Sequence, residues 1–453
     1  MYLGHKGLTI PKQLLSESEQ KQLKKDLTIT PKNIYQILPP FYIYRESPNK
    51  FYTPRFYKSD IVPSQLSQGI SIQIPFIGQI RDTQQLAIDA FMATKCGLLQ
   101  LPCGFGKTIL ALYLIHVLGK KTLVIVHKEF LMDQWIERIQ EFLPTAKIGK
   151  IQGTTIDITG KDIVLGMLQS LSTKEYSPQI FKEFGFTIID ETHHMGAEVF
   201  SNALFQVVTP YMLGLSATME RKDGMTKIFK MFLGEVLYSA QREISTNIVV
   251  QMVKYQVHDA EFNETILNFK GQANYSSMIK KICEYNSRTE FILTVLTHIL
   301  KDPTRQIMIL AHNKSILTYL YDAIQHRKLA SVGYYIGGMV ATDLKETESK
   351  RVVIATYAMA EEALDIKSLN TLIMASPKTD VTQAVGRILR EKHGQPLIVD
   401  IVDSHDTFGR QWAKRKKYYV SQKYSIVQSS NLTYPTCEPI KERKEKSKCL
   451  ITL

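Results

Sequence analysis

Short apolar strands alternating with helical periodicity predict an α/β protein built on parallel sheets covered on both faces. The alternation begins near Ile80, lapses near 240–285 and then resumes, so 453 residues divide into two α/β domains flanked by smaller terminal pieces. A glycine-bearing turn joins the first such strand to the first such helix. The expected segments are a small basic, aromatic-rich N-terminal domain (1–75), a first α/β lobe (76–240), a second (241–409), and a basic C-terminal helix and tail (410–453).

Each element follows from its residues. Gly97–Leu101 is an apolar strand, Thr108–Leu118 carries apolar residues on one helical face, and Lys121–Val126 is strand again. Phe130–Phe142 is an amphipathic helix stopped by Pro144, since proline cannot continue a helix. Strands are expected at Ile163–Gly166, Phe186–Ile189 and Met212–Leu215. In the second half, helices Arg288–Leu300 and Ser315–His326 precede strands Ile307–Leu310 and Val332–Ile336, and Val352–Ala355, Thr371–Met374 and Leu397–Ile401 follow.

Composition narrows the class. With 44% hydrophobic and 22% charged residues the chain is neither disordered nor collagen-like. Five cysteines without metal-ligand spacing read as reduced thiols of a soluble, intracellular (cytoplasmic) protein, and no apolar run is long enough for a membrane helix. The net charge of +13 sits at the two ends: residues 1–75 hold ten Lys and Arg against five Asp and Glu, and residues 410–453 hold eleven against three. Positive flanks on a neutral body suit a polyanionic partner, or are simply solvated termini. In the N-terminal segment, Phe41, Tyr42, Tyr44, Phe51, Tyr52, Phe56 and Tyr57 interleave with Arg45, Lys50, Arg55 and Lys58. Such rings either stack bases or bury themselves in a small β-rich core.

The chemistry concentrates in the first lobe. Leu101-Pro-Cys-Gly-Phe-Gly-Lys-Thr108 falls between a strand and a helix, where a phosphate loop belongs. Gly104 and Gly106 let backbone N–H groups face phosphate oxygens, Lys107 reaches the β- and γ-phosphates, and the Thr108 hydroxyl suits Mg²⁺. Asp190 and Glu191 follow the strand Phe186–Ile189; the first carboxylate suits the Mg²⁺ shell and the second can polarise an attacking water. In the second lobe, Arg387 and Arg390 are three residues apart on one side of a helix, placed to stabilise a transferring phosphoryl or, read alone, to sit as a solvated surface pair.

Together with Asp190-Glu-Thr-His193 and Ser216-Ala217-Thr218, the phosphate loop resembles the motifs of superfamily 2 helicases. The string Gly214–Gly224 is similar to the XPB-like branch in particular, which includes helicases of phages and large DNA viruses and the poxvirus transcript-release helicase. The resemblance spans about residues 80–409 and implies two tandem RecA-like lobes that use ATP and Mg²⁺. It implies an adenine-reading role for Arg81 and Gln84, and extends the ATP site to Pro102, Cys103, Phe105, His193, Glu362, Asp365 and Gln383. Ser216, Ala217 and Thr218 would couple hydrolysis to movement, and Arg387 and Arg390 become arginine fingers. His127, Lys128, Gln169, Ser170 and Thr356 would touch the nucleic-acid backbone.

Arg410, Lys414, Arg415, Lys416 and Lys417 lie with Trp412, Tyr418 and Tyr419 on a basic helix that either lies along nucleic acid or docks on the second lobe. The expected function is a monomeric, nucleic-acid-dependent ATPase: a DNA helicase or translocase acting on branched, forked or single-stranded DNA in replication, recombination or repair. Two alternatives stand beside it. One is a double-strand translocase that releases transcripts or displaces RNA polymerase, which brings transcription or replication machinery as partners. The other is an ATPase-inactive nucleic-acid-binding scaffold.

Overall fold

A computed structural model describes residues 1–30, 39–58, 62–102, 104–192, 195–218, 226–240, 247–362, 366–387 and 395–439, the side chains of 341, 361, 362 and 387 excepted. The chain divides into two compact units, Met1–Arg242 and Glu243–Leu453.

The first unit begins with a four-stranded antiparallel sheet. Its strands are β1 (Tyr2–Gly4), β2 (Gly7–Pro11), β3 (Arg45–Glu46) and β4 (Lys50–Thr53), in the order β1-β2-β4-β3. Helix α1 (Glu17–Asp26) crosses over within it, started by a capping box in which Ser16 and Glu19 satisfy each other's backbone N–H groups. Phe41, Phe51 and Tyr57 are buried and join Leu8, Ile10, Leu23 and Leu27 in one apolar cluster with Phe200, Phe205 and Phe232 of the lobe behind. These rings therefore serve packing; Tyr42 remains exposed.

The lobe itself is an eight-stranded, mostly parallel sheet. Along the chain run α2 (Asp82–Thr94), β5 (Cys96–Gln100), α3 (Lys107–Leu118), β6 (Thr122–Val126), α4 (Glu129–Phe142) and the hairpin β7 (Ile148–Gln152) and β8 (Thr155–Asp157). There follow β9 (Ile163–Met167), α5 (Leu168–Thr173), β10 (Phe186–Ile189), α6 (Ala197–Leu204), β11 (Tyr211–Ser216), α7 (Thr226–Leu233) and β12 (Val236–Ser239). The sheet order is β8-β7-β9-β6-β10-β11-β5-β12. Strands β5, β6, β10 and β11 are buried almost throughout, as near-continuous apolar runs in a doubly covered sheet must be.

The second unit repeats this plan. Strand β13 (Val249–Tyr255) precedes α8 (Tyr275–Glu284), α9 (Asn286–Ile299), β14 (Ile307–Ala311), α10 (Lys314–His326) and β15 (Val332–Tyr335). Then come β16 (Val352–Thr356), α11 (Tyr357–Glu362), β17 (Thr371–Met374), α12 (Thr382–Arg387), β18 (Leu397–Asp403), α13 (Asp406–Ser421), β19 (Ser425–Ser430) and β20 (Glu438–Pro439). The order is β15-β16-β14-β17-β18-β13-β19-β20, parallel except for β20. Two parallel α/β lobes with a small N-terminal sheet are thus the observed fold class.

Three expectations are corrected. The stretch near 240–285 contains β13, which pairs with β18 on one side and β19 on the other, and the amphipathic helix α8. The hairpin β7–β8 and the edge strand β12 extend the first sheet beyond the strands expected there. The C-terminal segment is no appendage up to residue 439: α13 starts before residue 410, and β19 adds a strand to the sheet. Among the described residues no helix is long and apolar enough to cross a membrane.

Candidate functional site

Strand β11 lies between β5 and β10 and is parallel to both, so the loops leaving all three emerge at one edge. The Leu101 N–H donates to the Ser216 carbonyl at 2.8 Å, and the Thr192 hydroxyl donates to the Leu215 carbonyl at 3.4 Å. The phosphate-loop segment, the acidic pair and the Ser-Ala-Thr segment are tied together through that central strand.

The loop after β5 turns on glycines. Gly104 and Gly106 have φ of +81° and +85°, a region that L side chains avoid, and a Cβ on Gly106 would lie 2.6 Å from Gln84 Nε2. That close approach has a purpose. Gln84, buried on α2, donates from Nε2 to the carbonyls of Phe105 (3.1 Å) and Gly106 (3.3 Å), while its Oε1 accepts from the Arg81 N–H at 2.9 Å. The Arg81 guanidinium donates to the Phe105 carbonyl as well. The Gln84 amide thus braces the loop from behind. Lys107 opens α3, and Gly106 is the residue before it. Pro102 and Thr108 are half-buried in the same turn.

Lys107 Nζ lies 2.7 Å from Glu191 Oε1, with the two side chains 12% and 20% exposed. Asp190 is buried; its Oδ2 accepts from the Trp135 indole N–H and its Oδ1 from the Glu191 N–H, each at 2.9 Å. Burial first, and then the neighbouring Glu191 carboxylate, push the Asp190 carboxyl up to about 6, against the pull of Lys107 and the Trp135 bond. Glu191 holds a φ of +50°, uncommon for a non-glycine residue and typical of strained functional turns. Trp135 was not among the residues picked out from sequence. It is one of the buried positions Leu131, Met132, Trp135 and Ile139 on α4, which mark it only as core.

Both carboxylates lie beside Lys107, next to the glycine-bearing loop. The Thr108 hydroxyl and the Asp190 and Glu191 carboxylates are oxygen donors, the set a hard divalent cation prefers. The residues fit Mg²⁺, which would neutralise phosphate charge there. Ser216 and Thr218 close a tight turn, with the Ser216 hydroxyl 2.5 Å from the Thr218 carbonyl; Ala217 lies between them, half-buried.

The residues expected at the nucleic-acid backbone separate into two groups. His127 is buried, and the Ser170 hydroxyl accepts from the Gly153 N–H at 2.9 Å, so neither side chain faces outward. Gln169 is exposed, donating from Nε2 to the His127 carbonyl at 3.1 Å, and Lys128 is half-buried at the start of α4. In the second unit Thr356 ends β16 and Gln383 lies on α12, both half-buried. Cys103, His193, Asp365 and Arg390, and the side chains of Glu362 and Arg387, lie outside the described residues.

Arg415 is a correction. It is fully buried, gripping Asp400 through Nε at 2.7 Å and Nη2 at 2.8 Å and donating from Nη1 to the Lys378 carbonyl at 2.6 Å. Nucleic acid cannot reach it. It docks α13 on β18, with Phe408 and Tyr419 on the same buried face. Arg410 and Lys414 on that helix are exposed.

Comparison with known proteins gives the same picture. The family described as type III restriction enzyme, res subunit, matches residues 77–221. A protein of Acanthamoeba polyphaga mimivirus named as an ATP-dependent RNA helicase is 33% identical over 97% of this chain and 88% of its own length. One of Escherichia phage T5 named as a helicase is 27% identical over 77% of each. The crystal structure of T4 UvsW aligns with 92% of this chain and 96% of its own at 18% identity, with a TM-score of 0.36. A third of all positions shared with an ATP-dependent helicase along nearly the whole chain, on two parallel α/β lobes, places this protein in superfamily 2: it is an ATP-dependent, nucleic-acid-directed helicase.

Proposed function

We propose that the protein is a DNA motor that unwinds or branch-migrates forked and branched DNA. The observation that carries the choice of DNA is the match of residues 77–221, which include the phosphate loop, Asp190 and Glu191, to a family described as a restriction-enzyme subunit. In this reading Mg·ATP sits on the loop from Pro102 to Thr108, with Lys107 leaving Glu191 for the phosphates. Thr108 and Asp190 would hold Mg²⁺, Glu191 would polarise the attacking water, and Arg387, Arg390 and Gln383 would be the second lobe's ATP-site residues. Thr356, Lys128, Gln169, Arg410 and Lys414 supply backbone contacts, which makes binding sequence-tolerant and salt-sensitive.

A second reading, an RNA motor, is favoured by the mimivirus relative and those of African swine fever virus, which are named as RNA helicases. Strand separation by the purified chain on matched forks of DNA, RNA and a DNA–RNA hybrid distinguishes them. ATP-dependent unwinding of the DNA fork ahead of the RNA fork is the expected result. Preference for the RNA fork contradicts the DNA assignment, and movement along blunt duplex without unwinding points to a translocase.

A further inference from the structure

Away from the phosphate loop, the first unit has a cavity of about 320 Å³ where the N-terminal sheet meets the lobe, at the small end of ligand-binding pockets. Strands β1, β2 and β4 supply one wall, with Tyr2, Lys6, Lys50 and Tyr52. The other wall comes from the lobe segment 178–184, with Phe181, Lys182 and Phe184, and from Val208. Tyr2, Lys50 and Tyr52 are half-buried, whereas Lys6, Lys182 and His5 stand exposed at the mouth.

The charges there are unbalanced. Among the described residues that line the cavity three are lysines, one is a histidine and none is a carboxylate. Lys50 Nζ lies 3.3 Å from the Tyr2 hydroxyl and 5.6 Å from that ring's centre, and Lys6 Nζ lies 5.3 Å from the centre of the Tyr52 ring. Elsewhere in the same small domain three lysines have acids: Lys12 and Lys24 share Glu46, and Lys58 pairs with Asp26. Burial, then Lys6 and Lys182, push the His5 imidazole down. Like charges gathered around a concavity repel one another unless an anion lies between them.

The walls identify the anion. Tyrosine faces flanked by ammonium groups, over an apolar floor of Phe181, Phe184 and Val208, suit a planar ring attached to a phosphate. The space admits one such unit and excludes a duplex. We propose that this cavity seats a single nucleotide of a nucleic-acid strand, its phosphates held by Lys6, Lys50 and Lys182 and its base against Tyr2 or Tyr52. It is a second grip on the strand, built on the N-terminal sheet and separate from the ATP-binding edge. The inference rests on the nucleic-acid reading above.

The test is the affinity of the full chain for a labelled single-stranded oligonucleotide between 50 and 200 mM salt. The triple variant Lys6→Gln, Lys50→Gln, Lys182→Gln should reduce the slope of log affinity against log salt by about 1.4, because one nucleotide in a strand is flanked by two phosphates and each neutralised phosphate on a single strand contributes about 0.7. Its thermal midpoint and its ATP hydrolysis without nucleic acid should stay at wild-type values. If the triple variant does not fold, Lys182→Gln alone, at an exposed site outside the sheet, should lower the slope by about 0.7. An unchanged slope and affinity in a folded variant overturn the inference while leaving the helicase assignment intact. Binding of a free mononucleotide that the triple variant loses, with strand binding unaltered, also overturns it. A wild-type chain that binds no strand at all refutes the underlying nucleic-acid reading instead.

Discussion

Both units bury aspartates near the C-terminal ends of parallel strands, and they treat them in opposite ways. In the second unit Asp400 and Asp403 each face an arginine with no exposed surface: Arg415 grips Asp400 twice, and Arg288 reaches Asp403 through Nε at 2.5 Å and Nη2 at 3.0 Å. Burial alone would lower both guanidinium pKa values, and the facing carboxylates more than reverse this. In the first unit Asp190 has an indole N–H and a backbone N–H as its described partners, and the nearby Lys107 is turned to Glu191. A buried charge that is fully paired holds a fold together. A buried carboxylate held by neutral N–H donors beside a lysine suits a site that binds something, and in the proposed reading that is the nucleotide and its metal.

The sharpest way to break this contrast is to remove a charge on each side. Lys107→Ala should lower ATP turnover by at least about 100-fold, the scale on which one preorganised charge donor acts, and shift the thermal midpoint little. Asp400→Ala should do the reverse in kind. It leaves Arg415 buried and unpaired, which costs about 3–5 kcal/mol, visible as a lower urea midpoint. The double change Asp400→Leu, Arg415→Met should recover most of that loss, because an apolar pair of similar volume often replaces a buried ion pair without penalty.

Trp135→Phe tests the link between the two roles within one site. It removes the indole bond to Asp190, so urea unfolding should register a loss of about 1.5–3 kcal/mol, the range for hydrogen bonds to charged groups. ATP turnover should fall with it, since the carboxylate is no longer oriented; unaltered turnover would make Trp135 a packing residue alone.

A further effect is one of pH. His312 opens the loop after β14 against Ser376, with Tyr275, Tyr357 and Lys378 around it. Burial, reinforced by Lys378, pushes its pKa down to about 4 from an ordinary 6.5. The folded state thus binds a proton less readily than the unfolded one, so this contribution is complete above about 6.5 and is lost as pH falls towards 4. His312→Gln should flatten the urea midpoint across that window, and a profile identical to wild type would contradict the assignment.

How much of this was legible beforehand depends on how local the signal is. The phosphate loop and the acidic pair were legible because a strand, a turn and a few polar residues fix their chemistry within about ten positions. The order that sets β11 between β5 and β10 is a long-range pairing, and no short stretch encodes it. Arg415 was misread for the same reason. Within Ala413–Tyr419 it is one cation among several, and only the register of α13 against β18 turns it inward to Asp400 while Lys414 stays outside. Strand β13 was missed since its neighbours β18 and β19 lie some 150–175 positions away along the chain. The aromatic N-terminal segment carried two readings, and burial decided it for the core at Phe41, Phe51 and Tyr57.

The central proposal is that the cluster of Lys107, Asp190 and Glu191 is the site where ATP drives a nucleic-acid motor. The most direct measurement is ATP hydrolysis by the full chain and by Lys107→Ala, each with and without single-stranded DNA. Hydrolysis that DNA accelerates in the wild type, and that disappears in the variant while strand binding persists, is the predicted result. Turnover retained by Lys107→Ala, or a wild type that ignores every nucleic acid offered, would contradict it.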